Sequence, residues 1–162
     1  MIVVSNTSPL TNLAAIGQFG LLYQLFGELH IADGVWYELN AGNCTWPGSA
    51  EVANASWIHR HEPSDQALII ALEGDLDRGE AETIALALEL VSDVVLIDEL
   101  EGRHAAQRQG LRVLGTLGVL LDAKAAGYLP AVRPQLEALH GRAGFYLSQP
   151  LYAHVLRLAN EE

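Results

Sequence analysis

The chain has 162 residues, half of them hydrophobic, which suffices for one domain with a sizeable core and excludes a disordered chain. Twenty acidic residues against nine lysines and arginines give a formal net charge of −11, which argues against broad, non-specific binding of nucleic acids. A basic partner protein, divalent cations or a solvated acidic surface fit this charge. A single cysteine, Cys44, excludes an intramolecular disulfide. Because no signal peptide and no apolar run of ~18 residues is found, we expect a cytoplasmic protein without membrane contact.

The first half of the chain is predicted to alternate short strands and helices. Residues 2–4 are apolar without alternation, which is typical of a buried parallel strand, and this strand ends in the polar residues Ser5 and Asn6. Ser8 followed by Pro9 predicts a helix start, and this helix should end near Ile16 because Gly17 follows. The next elements are a helix over 19–26, a strand over 29–31, a helix capped by Asp33, a loop over 42–50, a short helix over 51–55, a strand or edge segment over 57–59 and a short helix over 66–72.

The second half contains the most regular helix and the most apolar strand. The helix over 79–91 begins with Glu80 in line with its apolar face, whereas Glu82 points away from that line. The apolar face consists of Ile84, Ala87, Leu88 and Val91. Residues 94–97 form a strand that ends in Asp98 and Glu99. The later elements are a helix over 100–109, a strand over 111–114 that leads to Thr116, helices over 117–126 and 130–139, a turn over 140–144 and a last helix from Ser148 to about 159.

This alternation of helices with apolar strands predicts an α/β fold, a three-layer α/β/α sandwich with a central, mostly parallel sheet. No repeat, linker or low-complexity tract divides the chain, so residues 1–162 are predicted to form a single domain. Parallel strands end at one edge of a sheet, where open α/β sheets bind their ligands. Asn6, Asp98 and Thr116, which follow three strands, therefore predict a polar cluster at that edge.

Three acids lie at strand ends or on core-facing lines of helices, namely Glu38, Glu80 and Asp98. Carboxylates that converge in one place repel one another unless a cation lies among them. A hard divalent ion such as Mg²⁺ or Mn²⁺ prefers oxygen ligands, lowers the pKa of a bound water and stabilises charge on a phosphate. The pattern therefore indicates metal-assisted hydrolysis of a phosphodiester.

Each acid also has an ordinary structural explanation. Glu80, in the first turn of its helix, could complement the helix dipole, Asp98 could cap the following helix, and Glu38 could be an exposed helix residue. Other chemistries are less well supported, since no glycine-rich phosphate loop occurs and Cys44 lies in a loop without an activating base nearby. His59, His61 and Glu62 form a weak metal pattern that more often indicates a polar surface.

Several motifs, taken in order, resemble the PIN-domain superfamily, and more narrowly its bacterial and archaeal DUF3368 group, which is related to VapC-type toxins. The similarity extends from residue 2 to about residue 158. The motifs are SNTSPL at 5–10, GEAE at 79–82, LIDE at 96–99 and GTLGVL at 115–120.

The resemblance implies a ribonuclease that depends on Mg²⁺ or Mn²⁺, with catalytic acids that bind the metal and position a water. The family's first to fourth acid positions fall at Asn6, Glu38, Glu80 and Asp98. Ser8 and Thr116 match hydroxyl positions that line the site and contact substrate, and Glu82 or Glu99 are substitutes for the third or fourth acid. The resemblance also implies RNA as substrate, a homodimer and inhibition by a small antitoxin protein.

Asn6 departs from the family pattern, in which the first position is usually Asp. An amide keeps an oxygen ligand but lacks the charge, so metal affinity should fall. Two hypotheses follow: a metal-dependent ribonuclease of toxin type, or a weakly active or inactive relative that binds RNA or an antitoxin. Under both hypotheses, Arg103 and Arg108 are candidates for contacts with phosphates. Alternatively, they are solvated helix residues or form an ion pair with Glu99. An apolar face is either core or a dimer surface; it contains Leu13, Ile16, Leu21, Leu22 and Leu25.

Overall fold

A computed structural model describes residues 1–41 and 45–162, so Gly42, Asn43 and Cys44 lie outside the described residues. Five parallel strands form one sheet in the order β3-β2-β1-β4-β5. The strands are β1 (Val3–Ser5), β2 (Leu29–Ala32), β3 (Ile58–His61), β4 (Val94–Leu96) and β5 (Val113–Leu114). The helices are α1 (Thr7–Ala15), α2 (Gly20–Phe26), α3 (Asp33–Asn40), α4 (Ser49–Asn54), α5 (Gln66–Leu72), α6 (Arg78–Glu89), α7 (Leu100–Arg108), α8 (Thr116–Ala125), α9 (Arg133–Arg142) and α10 (Gln149–Leu158).

Helices cover the sheet on both faces, which confirms the predicted three-layer α/β/α sandwich with a parallel sheet. Alternate residues of each central strand enter different cores because successive side chains of a strand point to opposite faces. Val3 and Leu96 pack with α1, α2, α8, α9 and α10, whereas Val4 and Val95 pack with α6 and α7. Both faces of β1 and β4 are therefore buried, and this explains their unbroken apolar runs.

The strand order places a topological switch point beside the central strand. From β1 the chain proceeds outward to β2 and β3, and then crosses to the other side of β1 for β4 and β5. β1 and β4 pair in register, with Ser5 opposite Leu96. The carboxyl ends of these two strands, where Asn6 and Asp98 follow, thus form the crevice in which sheets of this type bind ligands.

Two predicted helix caps in the first half are wrong. The first residue of α1 is Thr7, so Ser8 lies inside the first turn, and the N-cap is Asn6 without a side-chain bond. The N-cap of α3 is likewise Ala32, and Asp33 is the first helical residue. The Asp33 carboxylate instead accepts a hydrogen bond from Arg60 Nε at 2.6 Å. In the loop predicted over 42–50, helix α4 already begins at Ser49.

Two boundaries in the second half also differ. Helix α6 ends at Glu89, and Val91, predicted on its apolar face, has φ = 53° and is 81% exposed. The predicted turn over 140–144 is partly wrong because α9 continues to Arg142. The cap by Ser148 is confirmed, since its Oγ accepts a hydrogen bond from Leu151 N at 3.3 Å.

The apolar face considered as a dimer surface belongs to the interior of this chain. Leu13 and Leu22 are fully buried, Ile16 and Leu21 nearly so, and Leu25 packs against the same core while partly buried. This face cannot receive a second copy of the chain. No helix within 1–41 and 45–162 combines the length and the apolarity that crossing a bilayer requires.

Candidate active site

Asp98 lies two residues beyond β4 and is held by neighbours on α1 and α8. Its Oδ1 accepts a hydrogen bond from Thr116 N at 2.6 Å, and its Oδ2 accepts bonds from Thr116 Oγ1 at 2.7 Å and Asn12 Nδ2 at 3.0 Å. The cap that we considered for Asp98 on the following helix, α7, is absent, because the N-cap there is Glu99. A carboxylate offers about four lone-pair positions, so Asp98 retains capacity for one further partner.

Glu80 is the most strongly perturbed acid of the site. It completes a capping box at the start of α6, in which Glu80 N donates to Asp77 Oδ1 at 2.8 Å and Asp77 N donates to Glu80 Oε1 at 3.3 Å. The other oxygen, Oε2, is buried and has no hydrogen-bond partner among the described residues. Burial raises the pKa of Glu80 to about 7, and the negative charges of Asp77 and Glu99 add to the effect. The capping role therefore explains one carboxylate oxygen and leaves the other without a partner.

The position of Glu80 depends on a glycine in α7. A Cβ built on Gly102 would lie 2.7 Å from Glu80 Oε2 and 2.9 Å from a methyl carbon of Ile97. Only a residue without a side chain lets the carboxylate approach α7 so closely.

Glu38 lies on the solvent-exposed rim of the same region. Its Oε2 accepts a hydrogen bond from Thr7 Oγ1 at 2.6 Å, and its Oε1 lies so close to Gly79 that a Cβ there would collide with it. Burial of the carboxylate raises the pKa of Glu38, the Thr7 bond opposes this, and the charge of Asp77 raises the pKa further. Glu38 is thus exposed, as expected for an ordinary residue on a helix surface. Its carboxylate, however, is directed at the start of α6.

Asn6 is buried between β1 and α6. Its main-chain N–H donates to Leu96 O at 2.9 Å, and its Oδ1 accepts a long hydrogen bond from Thr83 Oγ1 at 3.4 Å. The Thr83 hydroxyl lies closer to Gly79 O, at 2.7 Å. Since the Asn6 side chain makes no capping bond at α1, its interpretation as a local turn residue is wrong.

These contacts bring the predicted positions to one edge of the sheet. Thr83 links Asn6 to the first turn of α6, where Glu80 lies and Glu38 approaches, and the pairing of β1 with β4 places Asp98 alongside. Within the described parts of the chain, however, no three His, Cys, Asp or Glu side chains are close enough together to hold a metal ion.

The donor set nevertheless fits a hard dication of open coordination. Mg²⁺ usually keeps several waters and is bound by one or two carboxylates together with a substrate phosphate, so three converging acids are not required. Burial of the Glu38 and Glu80 carboxylates, together with the nearby charges of Asp77 and Glu99, raises the pKa of each group. A bound dication would offset both effects and would supply a partner for Glu80 Oε2.

The proposed substitutes, Glu82 and Glu99, have different surroundings. Glu82 is buried, forms an ion pair with Arg78 Nε at 2.8 Å and accepts a hydrogen bond from Gly34 N at 3.2 Å, so it connects α3 to α6. Glu99 is exposed, and its charge raises the pKa values of Glu38 and Glu80. Glu82 is therefore already neutralised, whereas Glu99 adds to the negative potential of the site.

The residues predicted to contact substrate differ in whether their polar groups already bond to the protein. Thr116 is fully buried and donates to Asp98, so its observed contact positions an acid rather than a ligand. Ser8 is half-buried in the first turn of α1. Arg103 donates from Nη1 to Ile97 O at 3.1 Å, not to the Glu99 carboxylate, and Arg108 is exposed at the end of α7. Substrate binding by Ser8, Thr116 and Arg103 stays a prediction.

Sequence reasoning missed several residues of the site. Asp77 carries a signal, because an acid three residues before Glu80 is the capping-box pattern. Thr7 adjoins Asn6 in the sequence, and this position could have indicated that Thr7 lies at the site. No local sequence pattern indicates that Asn12 or Gly102 lies there. Outside this site, the residues of the weak metal pattern at His59, His61 and Glu62 have other neighbours, since His61 Nε2 lies 2.9 Å from His30 Nδ1 and His59 Nε2 lies 3.7 Å from Glu28 Oε1.

Comparison with known proteins supplies the family. No curated protein is significantly similar to the chain. The family model DUF3368, described as a PIN domain, matches residues 2–161, and PIN domains are generally nucleases. With the parallel sheet and the acids at its switch point, this match shows that the chain belongs to the DUF3368 family of PIN domains.

Proposed function

We propose that this PIN domain is a ribonuclease that depends on Mg²⁺ or Mn²⁺ and hydrolyses RNA phosphodiesters at the edge formed by Asn6, Glu38, Glu80 and Asp98. The observation that carries the proposal is the Glu80 carboxylate, which is buried among other acids with one oxygen unpartnered and with a pKa of about 7. Groups so perturbed are concentrated at functional sites, where burial and neighbouring charges are arranged around the reacting groups.

The residues would act in distinct ways. Glu38, Glu80 and Asp98 would hold the ion with their carboxylates, and Asn6 would contribute a neutral oxygen. A bound dication would supply positive charge for the phosphate and a more acidic water. Asp98 is prevented from rotating by its three hydrogen bonds, and Glu80 Oε2, which has no hydrogen-bond partner among the described residues, is the oxygen that would bind the ion.

The test is cleavage of a mixed RNA pool with Mg²⁺, with Mn²⁺ and with EDTA. We expect Asp98→Asn and Glu80→Gln to lose more than about 100-fold in rate, because that is the upper end of what loss of a mere outer-shell partner costs. Glu101→Gln, an exposed acid on α7, is the matched control and should retain activity. Equal cleavage by the wild type and Asp98→Asn, or cleavage in EDTA, would contradict the proposal.

A second candidate is a catalytically weak PIN domain that binds RNA or an antitoxin. Asn6 favours it, since the amide lacks the charge and already accepts the Thr83 hydroxyl. Calorimetry with Mn²⁺ separates the two, because tight binding that Glu80→Gln abolishes would count against the inactive protein. A toxin role, a small antitoxin partner and a homodimer stay predictions that rest on the family resemblance.

A further inference from the structure

We propose that the cleft between α1 and the loop at Trp46 is a nucleobase subsite for single-stranded RNA, with the base stacked on Trp46 and a phosphate bound by Arg142. The proposal rests on the ribonuclease function above and assigns the part of the substrate that lies next to the scissile bond.

The cleft adjoins the candidate acids directly. It has a volume of about 510 Å³, within the ~300–1,000 Å³ of small-ligand pockets, so a nucleotide fits. Its lining residues include Thr7, Thr11, Asn12, Glu38, Trp46 and Arg142. Thr7 is the residue that donates to Glu38, and Asn12 is the residue that donates to Asp98. A base in this cleft would therefore lie beside the carboxylates that are proposed to act on its phosphate.

Trp46 presents a half-exposed aromatic surface to the cleft. It is 54% exposed, although its main chain is anchored: Trp46 N donates to Ser49 Oγ at 3.2 Å, and Ser49 N donates to Trp46 O at 3.1 Å. Ser49 Oγ in turn donates to Leu39 O at 2.5 Å, which ties the loop to α3. An exposed indole on a fixed backbone is a stacking platform, and unpaired RNA bases bind to such platforms.

Arg142 supplies positive charge in a strongly acidic protein. It is exposed in the last turn of α9, where a cation also complements the helix dipole, and within the described residues it makes no salt bridge. Because the protein has a net charge of −11, RNA binding needs positively charged side chains at the site. A guanidinium can bind a phosphate through paired hydrogen bonds. Thr11 Oγ1 donates to Ser8 O at 3.1 Å and Asn12 Nδ2 donates to Asp98 Oδ2 at 3.0 Å, so both side chains still offer an oxygen that can accept a hydrogen bond from the edge of a base. The combination of an exposed indole, an arginine and polar groups matches a nucleotide better than an apolar peptide.

The experiment measures cleavage of a short single-stranded RNA and, separately, its binding in EDTA by fluorescence anisotropy. We expect Trp46→Ala to raise KM, and the dissociation constant in EDTA, by about 5- to 100-fold, the range that loss of one stacked base produces. Trp46→Phe should retain most of the affinity, which would exclude misfolding as the cause. Tyr128→Ala, an exposed aromatic at the far end of α8 from Thr116, is the control and should change neither quantity.

An abasic RNA distinguishes stacking from a structural role. In the wild type, removal of the base next to the scissile phosphate should weaken binding as much as Trp46→Ala does, and in Trp46→Ala the same removal should have no further effect. For Arg142→Gln we expect the slope of log affinity against log salt to fall by about 0.7, while Arg112→Gln, at the opposite edge of the sheet, leaves the slope unchanged.

The outcomes separate this proposal from the ribonuclease function. If RNA is bound in EDTA and the binding depends on Trp46, but no metal supports cleavage, the function fails and the subsite stands. If RNA is cleaved with equal KM by the wild type and Trp46→Ala, the subsite fails and the function stands. Absence of both binding and cleavage overturns both proposals, and capture of a peptide partner by the cleft with no RNA binding overturns the subsite.

Discussion

Substitution of Glu80 by Gln should stabilise the metal-free protein at neutral pH while it abolishes activity. Burial raises the pKa of Glu80 from its ordinary value of 4.5 to about 7. The folded protein therefore holds a proton between these pH values that the unfolded chain has released, so its stability falls as the pH rises from 4.5 to 7 and stays reduced above that. Gln keeps an oxygen for the capping bond from Asp77 N and does not titrate.

The magnitude follows from the same two values. The difference between the pKa of Glu80 in the folded and the unfolded protein corresponds to roughly 3 kcal/mol of stability, at about 1.36 kcal/mol per pKa unit. Because charges beside an open cleft are partly screened, we expect Glu80→Gln to recover about half of that. For a chain of this length, such a gain raises Tm at pH 8 by about 3–6 °C. Near pH 4.5 the contribution of the Glu80 charge is absent, and the two proteins should differ least there.

The assay is thermal or urea unfolding from pH 4.5 to pH 8 in EDTA, with Glu101→Gln as control. A stability difference between the wild type and Glu80→Gln that stays constant over this range would refute the reasoning. Mn²⁺ provides the second arm, because an ion that binds only the folded state raises stability with its concentration. We expect that rise for the wild type and a much smaller one for Glu80→Gln.

Two further substitutions examine the neighbouring positions. Asn6→Asp should tighten Mn²⁺ binding and raise the cleavage rate. It should also lower Tm in EDTA, because another carboxylate is then buried beside the acids. Unchanged Mn²⁺ affinity in calorimetry would contradict this prediction. Gly79→Ala should displace the Glu38 carboxylate, since the added Cβ would collide with it, and should reduce activity by about 10-fold or more with little change in Tm because Ala favours the helix. Gly20→Ala, where an added Cβ meets nothing within 4 Å, is the control and should leave activity intact.

Local patterns predicted the fold class and most elements. Helix α5 has the predicted bounds, Gln66–Leu72, because an apolar segment follows a capping acid, Asp65. Errors arose where a pattern continues past a boundary. The helical spacing extends to Val91, although the backbone turns there with positive φ. The helix predicted over 130–139 begins only at Arg133, with Pro134 in its first turn, and continues to Arg142.

The candidate site was less accessible from the sequence. Asn6 and Asp98 follow from their places at the ends of buried strands, and Glu38 and Glu80 from their places on core-facing lines of helices. The family resemblance adds the assignment of these residues to its first to fourth acid positions. The spacing of residues in the chain does not show that Gly102 makes room for Glu80 or that Asn12 reaches Asp98. The cleft at Trp46 depends on four separate segments, and no single stretch of sequence indicates it.

The position of β4 beside β1 also bears on when the site can exist during synthesis. Asn6 and Asp98 are 92 residues apart in the sequence and become neighbours only when β4 pairs with β1. A nascent chain that has not yet exposed β4 outside the ribosome can complete neither the sheet nor the carboxylate group. Any activity that needs both side chains is therefore delayed until most of the chain has been made.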